Sequence, residues 1–266
     1  MSRVKLNWKK PIFIAGQSDS GTKCLFYSLL FGHEDLGGFR LETHNFGIPS
    51  LTFPPRLYAL EPQFSHYHKV SQDDVETSKS GPLRASEVKQ RFQFYADNAG
   101  PPEESGNYFI PGSRLIFKDP RLSLRVRWLK DIFPDCFIVG IVRHPVAIAE
   151  GVLKRTKGAK MPEVIEQIRL NYLTMEKDAE KIDGFRMIRY EDMIKSPRYP
   201  SKKDKFWTSL LDFLELDKTK FRLPSRGIFT RFEQGINEEK FKKVSTEDKR
   251  LIKEKLLFMF QKYNYD

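Results

Sequence analysis

Residues 11–30 read PIFIAGQSDSGTKCLFYSLL and combine three kinds of local pattern. The apolar run 12–15 predicts a buried strand, the polar residues after it predict a tight turn, and the apolar stretch 22–31 predicts a helix. A turn that enters a helix in this way directs several backbone N–H groups at one point, where the positive end of the helix dipole adds to them. The stretch therefore predicts an anion site at the end of the first strand.

The lysine of this turn argues against a nucleoside triphosphatase or a P-loop kinase. Their pattern, G-x-x-x-x-G-K-[ST], has its lysine directly after the second glycine, but here Thr22 follows Gly21 and the lysine is Lys23. An acid, Asp19, lies in the middle of the turn, where it would repel an anionic ligand. The stretch alone leaves the identity of the anion open.

The charge balance favours anionic partners. Lys and Arg number 46 against 35 Asp and Glu, which gives a formal net charge of +11. The basic residues are dispersed rather than gathered in a recognised motif, so we expect no nucleic-acid partner. Because the chain has only two cysteines, Cys24 and Cys136, we expect a cytoplasmic protein. Because no 18 apolar residues run together, we expect no membrane span.

Short apolar runs alternate with helical patterns along the chain, which predicts parallel strands joined by helices. We expect an α/β fold: a P-loop-like domain of three layers, with a central parallel sheet flanked by helices. Further strands are predicted at 115–117, 137–142 and 187–189, and further helices at 122–132, 145–154, 162–182, 205–214 and 246–262.

Residues 45–112 interrupt this rhythm with closely spaced turn formers such as GIPSLTFPPR and NAGPPEESG. We interpret the stretch as an insertion that shapes a substrate site, with a helix at 86–97, and a partly disordered surface loop is the alternative. Residues 1–266 are then one domain that carries this insertion.

Three more motifs follow predicted strands. FKDP occupies 117–120, IVRHP occupies 141–145 and YED occupies 190–192. Carboxyl ends of parallel strands meet at one edge of an open sheet, where such folds bind ligands. At that edge the guanidinium of Arg143, which is permanently charged and can donate two parallel hydrogen bonds, would suit a phosphate.

Together with the S-G-T of the first turn, these motifs resemble the sulfotransferases that use 3′-phosphoadenosine 5′-phosphosulfate (PAPS). The order, spacing and placement of the motifs agree from residue 11 to about 200. The resemblance implies transfer of a sulfuryl group from PAPS to an acceptor hydroxyl without a metal ion. The acceptor stays open between a carbohydrate, a peptide tyrosine and a small molecule.

The resemblance also implies a role for each matching residue. The turn would bind the 5′-phosphosulfate through Ser20, Gly21, Thr22 and Lys23. Arg143 and Arg155 would bind the 3′-phosphate, Tyr190 would lie against the adenine, and Lys118 would contact the transferring group. The general base would be Glu42, with His44 and His33 as alternatives. A basic residue among Arg231, Lys240, Lys242 and Lys243 would cover the cofactor.

Two positions depart from the family pattern. Asp19 stands where a catalytic Lys or Arg is usual, and Gly151 stands where a Ser usually completes the 3′-phosphate site. Lys23 could supply the missing charge. Alternatively, the protein is a catalytically impaired nucleotide-binding member of the same fold.

Overall fold

A computed structural model describes residues 5–39, 85–98, 109–156, 158–195, 205–224 and 236–266. In these ranges six strands form one sheet, in the order β3-β2-β4-β1-β5-β6. The strands are β1 (Ile12–Gly16), β2 (Leu36–Phe39), β3 (Phe109–Ile110), β4 (Arg114–Lys118), β5 (Phe137–Val142) and β6 (Phe185–Arg189). The short edge strand β3 runs antiparallel to β2, and the other pairings are parallel.

The described helices lie between these strands and after them. They are α1 (Thr22–Gly32), α2 (Ala85–Asp97), α3 (Val126–Ile132), α4 (Pro145–Arg155), α5 (Met161–Ala179), α6 (Tyr190–Lys195), α7 (Lys205–Phe213), α8 (Ile236–Lys242), α9 (Thr246–Lys255) and α10 (Leu257–Lys262). No helix among the described residues is long and apolar enough to cross a membrane.

Alternate residues of each strand face opposite sides of the sheet, so the sheet has a core on both faces. On one face Phe13 packs with Phe117 and with residues of α2, α4 and α5. On the other face Ile12 and Ile14 pack with residues of α1 and α7. This double burial explains why the inner strands read as nearly continuous apolar runs.

The parallel register brings the ends of four strands to one edge. Gly16 of β1 pairs with Ile141 of β5, and Ile14 of β1 pairs with Lys118 of β4. The turn 17–21 and the residues that follow β4, β5 and β6 therefore share the carboxyl edge of the sheet.

Several predicted elements are confirmed, and two helix predictions need correction. The strand predicted at 137–142 has those bounds, and the helix predicted at 86–97 is Ala85–Asp97. The predicted helix 122–132 is a 3-10 turn, Pro120–Leu124, followed by α3. The predicted helix 246–262 breaks at Leu256, which has φ −118° and ψ 25°. The apolar spacing continues across this break, so periodicity could not reveal it.

Part of the predicted insertion belongs to the core. Within α2, Val88 and Phe92 are buried, and the ring of Phe92 lies 4.7 Å from the ring of Phe117 between centroids. Residues 45–84 and 99–108 lie outside the described residues, so a role in shaping a substrate site stays a prediction.

Candidate functional site

The turn between β1 and α1 forms a cradle of backbone N–H groups. It closes through a hydrogen bond from Ser20 N to Gln17 O of 3.0 Å, and Asp19 and Gly21 have φ of +69° and +101°. No side chain caps the start of α1, and its first turn holds no acid. The first N–H groups of this helix are therefore available to an anion.

Buried polar side chains beside the cradle lack partners. The Gln17 side chain has no accessible surface, and neither its Oε1 nor its Nε2 has a hydrogen-bond partner. Ser20 Oγ is buried without a partner as well. Leaving a buried polar group unpaired costs on the order of 1–3 kcal/mol, so these atoms fit a site that binds a polar ligand.

Gly21 lets the cradle lie directly on Tyr190. A Cβ at position 21 would come within 2.3 Å of Tyr190 Cδ2, and the positive φ also favours glycine. The Tyr190 ring is buried, and the Arg143 guanidinium carbon lies 4.3 Å from its centroid. Burial raises the pKa of Tyr190 to about 12, so its hydroxyl is neutral at physiological pH. The adenine contact of Tyr190 stays a prediction.

Arg143 is held in place by a buried hydrogen-bond network. Its Nε and Nη2 donate to Asn237 Oδ1 at 2.9 and 2.6 Å, and its Nη1 donates to the Asp19 carbonyl oxygen at 2.9 Å. Asn237 Nδ2 donates to Glu191 Oε1 at 2.9 Å. Glu191 also accepts from His144 N at 3.0 Å and from the Tyr265 hydroxyl at 3.1 Å.

This network leaves Arg143 positioned and charged. Three of the five guanidinium N–H groups are used by these bonds, so two remain on the terminal nitrogens. Asn237 is neutral and aligns the guanidinium without cancelling its charge. Sequence reasoning missed Asn237, which stands in a polar stretch with no local motif.

Asp19 points away from the cradle toward α4. Its carboxylate forms an ion pair with Arg155, and it lies against Gly151. From α8, Lys240 Nζ reaches the same region, where it donates to Ala147 O and pairs with Glu150 Oε2, each at 3.0 Å. Burial lowers the pKa of Lys240, and the charge of Asp19 opposes that shift. The structure thus brings Arg143, Arg155 and Lys240 together around residue 19.

Lys118 lies buried at the end of β4, next to β1, which is the placement predicted for it. Thr22 is buried as the first residue of α1. Lys23 is exposed on α1, with its Nζ 5.8 Å from the centroid of the Tyr27 ring. Its binding of the 5′-phosphosulfate and its supply of the missing charge stay predictions.

The candidates for a general base divide between described and undescribed positions. Glu42 and His44 lie outside the described residues, as does Arg231 among the basic residues. His33 lies at the opposite edge of the sheet, just before β2, where its Nε2 is 3.0 Å from Asp217 O. It is a buried turn residue far from the cradle.

Among the basic residues that could cover the cofactor, Lys242 and Lys243 are exposed, at the end of α8 and just after it, whereas Lys240 is partly buried.

No group of three or more His, Cys, Asp or Glu side chains that could hold a metal ion occurs within the described ranges. The expectation that no metal is needed stays a prediction.

Comparisons with known proteins point to one family. A model of the sulfotransferase family matches residues 11–219 of this chain. A comparison with curated proteins gave no match. Among solved structures, the chain is similar to the sulfotransferase domain of the olefin synthase from Synechococcus PCC 7002, with 17% identity and a TM-score of 0.53 over 100% of this chain and 99% of that one. It is also similar to the sulfotransferase STF9 from Mycobacterium avium, with 12% identity and a TM-score of 0.54 over 98% of this chain and 78% of that one. At these identities the two likenesses show the fold.

Proposed function

Because this chain belongs to the sulfotransferase family, we propose that it transfers a sulfuryl group from PAPS to the hydroxyl of an acceptor and releases adenosine 3′,5′-bisphosphate. The observation that carries this proposal is the cradle 17–21, where the start of α1 and the unpartnered polar atoms of Gln17 and Ser20 meet beside Arg143. We further propose that the protein acts in the cytoplasm, as the cysteine usage predicts.

The residues of the carboxyl edge can each be assigned a task in this reaction. The N–H groups of the turn and the Ser20 hydroxyl would bind the 5′-phosphosulfate, with Gly21 and Thr22 at the helix start. Arg143, through its two remaining N–H groups, and Arg155 would bind the 3′-phosphate. Tyr190 would support the adenine. Lys23 is exposed and would act only at the outer side of the turn.

Sulfuryl transfer depends mainly on positioning and on stabilising charge. A sulfur–oxygen bond forms to the acceptor as the bond to the 5′-phosphate breaks, and negative charge grows on the leaving phosphate. The ammonium group of Lys118, which is buried at the sheet edge, would stabilise this negative charge. Glu42 remains the proposed base that takes the acceptor proton.

Binding of adenosine 3′,5′-bisphosphate, measured by calorimetric titration, tests the site. We expect the wild type to bind and Arg143→Ala to weaken binding by about ten- to a hundredfold, since a hydrogen bond to a charged group contributes about 1.5–3 kcal/mol. Arg127→Ala removes the same charge from an exposed position on α3 and is the control. Failure of the wild type to bind would refute the proposal.

Turnover needs a separate experiment. Lys118→Met retains most of the side-chain volume and should lower release of adenosine 3′,5′-bisphosphate from PAPS by about a hundredfold or more, with nucleotide binding retained. Lys154→Met, at an exposed position of α4, is the control. Sugars, tyrosine peptides and phenols serve as acceptors.

Asp19 favours a second candidate function, a nucleotide-binding protein with impaired turnover. An acid stands in the turn where the family usually has a catalytic cation. Tight binding by the wild type without turnover on any of these acceptors would support this second function. A P-loop kinase remains disfavoured because Thr22 holds the place of its lysine.

A further inference from the structure

The two departures from the family pattern, Asp19 and Gly151, lie against each other. A Cβ at position 151 would come within 2.5 Å of Asp19 Cγ and 2.6 Å of Asp19 Oδ2. A Cβ makes no hydrogen bond and does not approach other atoms so closely. The Asp19 carboxylate therefore fills the notch on α4 that the missing side chain of residue 151 leaves.

Arg155 pairs with this carboxylate, and two more cations, Lys240 and Arg143, lie near residue 19. Arg155 Nη2 donates to Asp19 Oδ2, and the same hypothetical Cβ would lie 2.8 Å from Lys240 Nζ. Arg143 donates to the Asp19 carbonyl oxygen at 2.9 Å. Glu150 supplies a second carboxylate, paired with Lys240 at 3.0 Å. Asp19 is thus an internal anion in a cluster of cations at the edge of the cradle.

We propose that Asp19 is a specificity-determining residue whose carboxylate competes with the 3′-phosphate of the nucleotide for Arg155. The inference rests on the proposed function, which assigns the 3′-phosphate to Arg143 and Arg155. A nucleotide with this phosphate must displace the carboxylate or bind beside it, and two negative charges side by side repel each other. A nucleotide with a free 3′-hydroxyl leaves the ion pair intact.

The exposure of the ion pair allows this exchange. The Arg155 side chain is 54% exposed, so it can leave Asp19 without being drawn out of a packed core. Exposed ion pairs contribute about 0–1 kcal/mol to stability, and breaking this one leaves the fold intact. The competition therefore acts on ligand choice and not on folding.

Calorimetric titration of the full chain with adenosine 3′,5′-bisphosphate and with adenosine 5′-monophosphate tests the proposal. Asp19→Asn keeps the side-chain shape and removes the charge. We expect it to raise affinity for the bisphosphate about tenfold and to change affinity for the monophosphate less than about twofold. Asp131→Asn removes an exposed charge at the end of α3 and should change neither affinity.

A second pair of variants checks the notch itself. Gly151→Ala should push the carboxylate out and raise bisphosphate affinity in the same direction as Asp19→Asn. In an Asp19→Gly background, whose positive φ suits glycine, Gly151→Ala has no carboxylate to displace and meets only the flexible end of Lys240. It should then change bisphosphate affinity by less than about twofold.

The outcomes separate the inference from the proposed function. If Asp19→Asn leaves the ratio of the two affinities unchanged, or raises both equally, the competition is refuted while the sulfotransferase proposal stands. Loss of bisphosphate affinity in Asp19→Asn would also refute it. If neither the wild type nor any variant binds either nucleotide, the proposed function fails and the inference fails with it.

Discussion

Replacing Asn237 with alanine should cost the protein about 3 kcal/mol of its free energy of unfolding. Asn237 accepts two bonds from the Arg143 guanidinium, at 2.9 and 2.6 Å, and donates one to the Glu191 carboxylate at 2.9 Å. All three residues are buried, so water cannot readily replace the lost partner.

The magnitude follows from the charge of both partners. A hydrogen bond to a charged group contributes about 1.5–3 kcal/mol to stability, and Asn237 bonds to two such groups, the Arg143 guanidinium and the Glu191 carboxylate. Alanine has a better helix propensity than asparagine, which offsets about 0.5 kcal/mol of this loss. With values near the lower end of this range for each partner, the expected net loss is about 3 kcal/mol, a large share of the 5–15 kcal/mol that typical domains have.

Unfolding in urea, followed by circular dichroism, measures this loss. Asn98→Ala is the matched control, because Asn98 is exposed and its side chain bonds only to Phe94 O in the described structure. It should change stability by less than about 0.5 kcal/mol. In an Arg143→Ala background the cost of Asn237→Ala should fall by about 1–2 kcal/mol, since one of its two charged partners is gone. A loss below about 1 kcal/mol in the wild-type background would refute the reasoning.

Two further predictions concern the glycine of the cradle and the buried histidines. Gly21→Ala should destabilise the protein by at least about 1 kcal/mol more than Gly158→Ala. Both glycines have positive φ, but only a Cβ at position 21 would clash with Tyr190. Equal melting temperatures of the two variants would contradict this prediction. Burial lowers the pKa of His33 and of His144 below 6.5, so the folded state binds fewer protons than the unfolded state. Stability should be fully present above about pH 6.5 and fall as the pH drops through that value toward the lowered pKa values. The double variant His33→Gln, His144→Gln should flatten this slope in urea unfolding at pH 7.5 and 5.5, and an unchanged slope would contradict the assignment.

Local patterns were enough to predict the carboxyl edge of the sheet. Five of the six residues of β5 are buried in one run, and Pro145 starts α4 directly after Arg143 and His144. Strand, turn and helix start are encoded by neighbours in sequence, so Arg143, Lys118 and the cradle could be placed at one edge without any knowledge of distant contacts.

Strand β2 and helix α8 could not be predicted from local patterns. Strand β2 reads LGGF, and its two glycines carry no β propensity. They are needed because a Cβ at Gly38 would come within 2.4 Å of Ile116 O on the neighbouring strand. The helix α8 that carries Asn237 and Lys240 was not predicted either, since its polar residues face a partner 94 positions away in sequence.

The sequence by itself determined the strand-turn-helix corner, the mostly parallel α/β sheet and the placement of Lys118 and Arg143 at the sheet edge, because each depends on periodicity and on residues close together in the chain. Only the tertiary structure decided what the acid of the turn does. The left-handed backbone at Asp19 and the missing side chain at Gly151 direct its carboxylate to Arg155, 136 residues away. Such a pairing depends on how a turn and a helix pack across the sheet edge, and no local pattern records it.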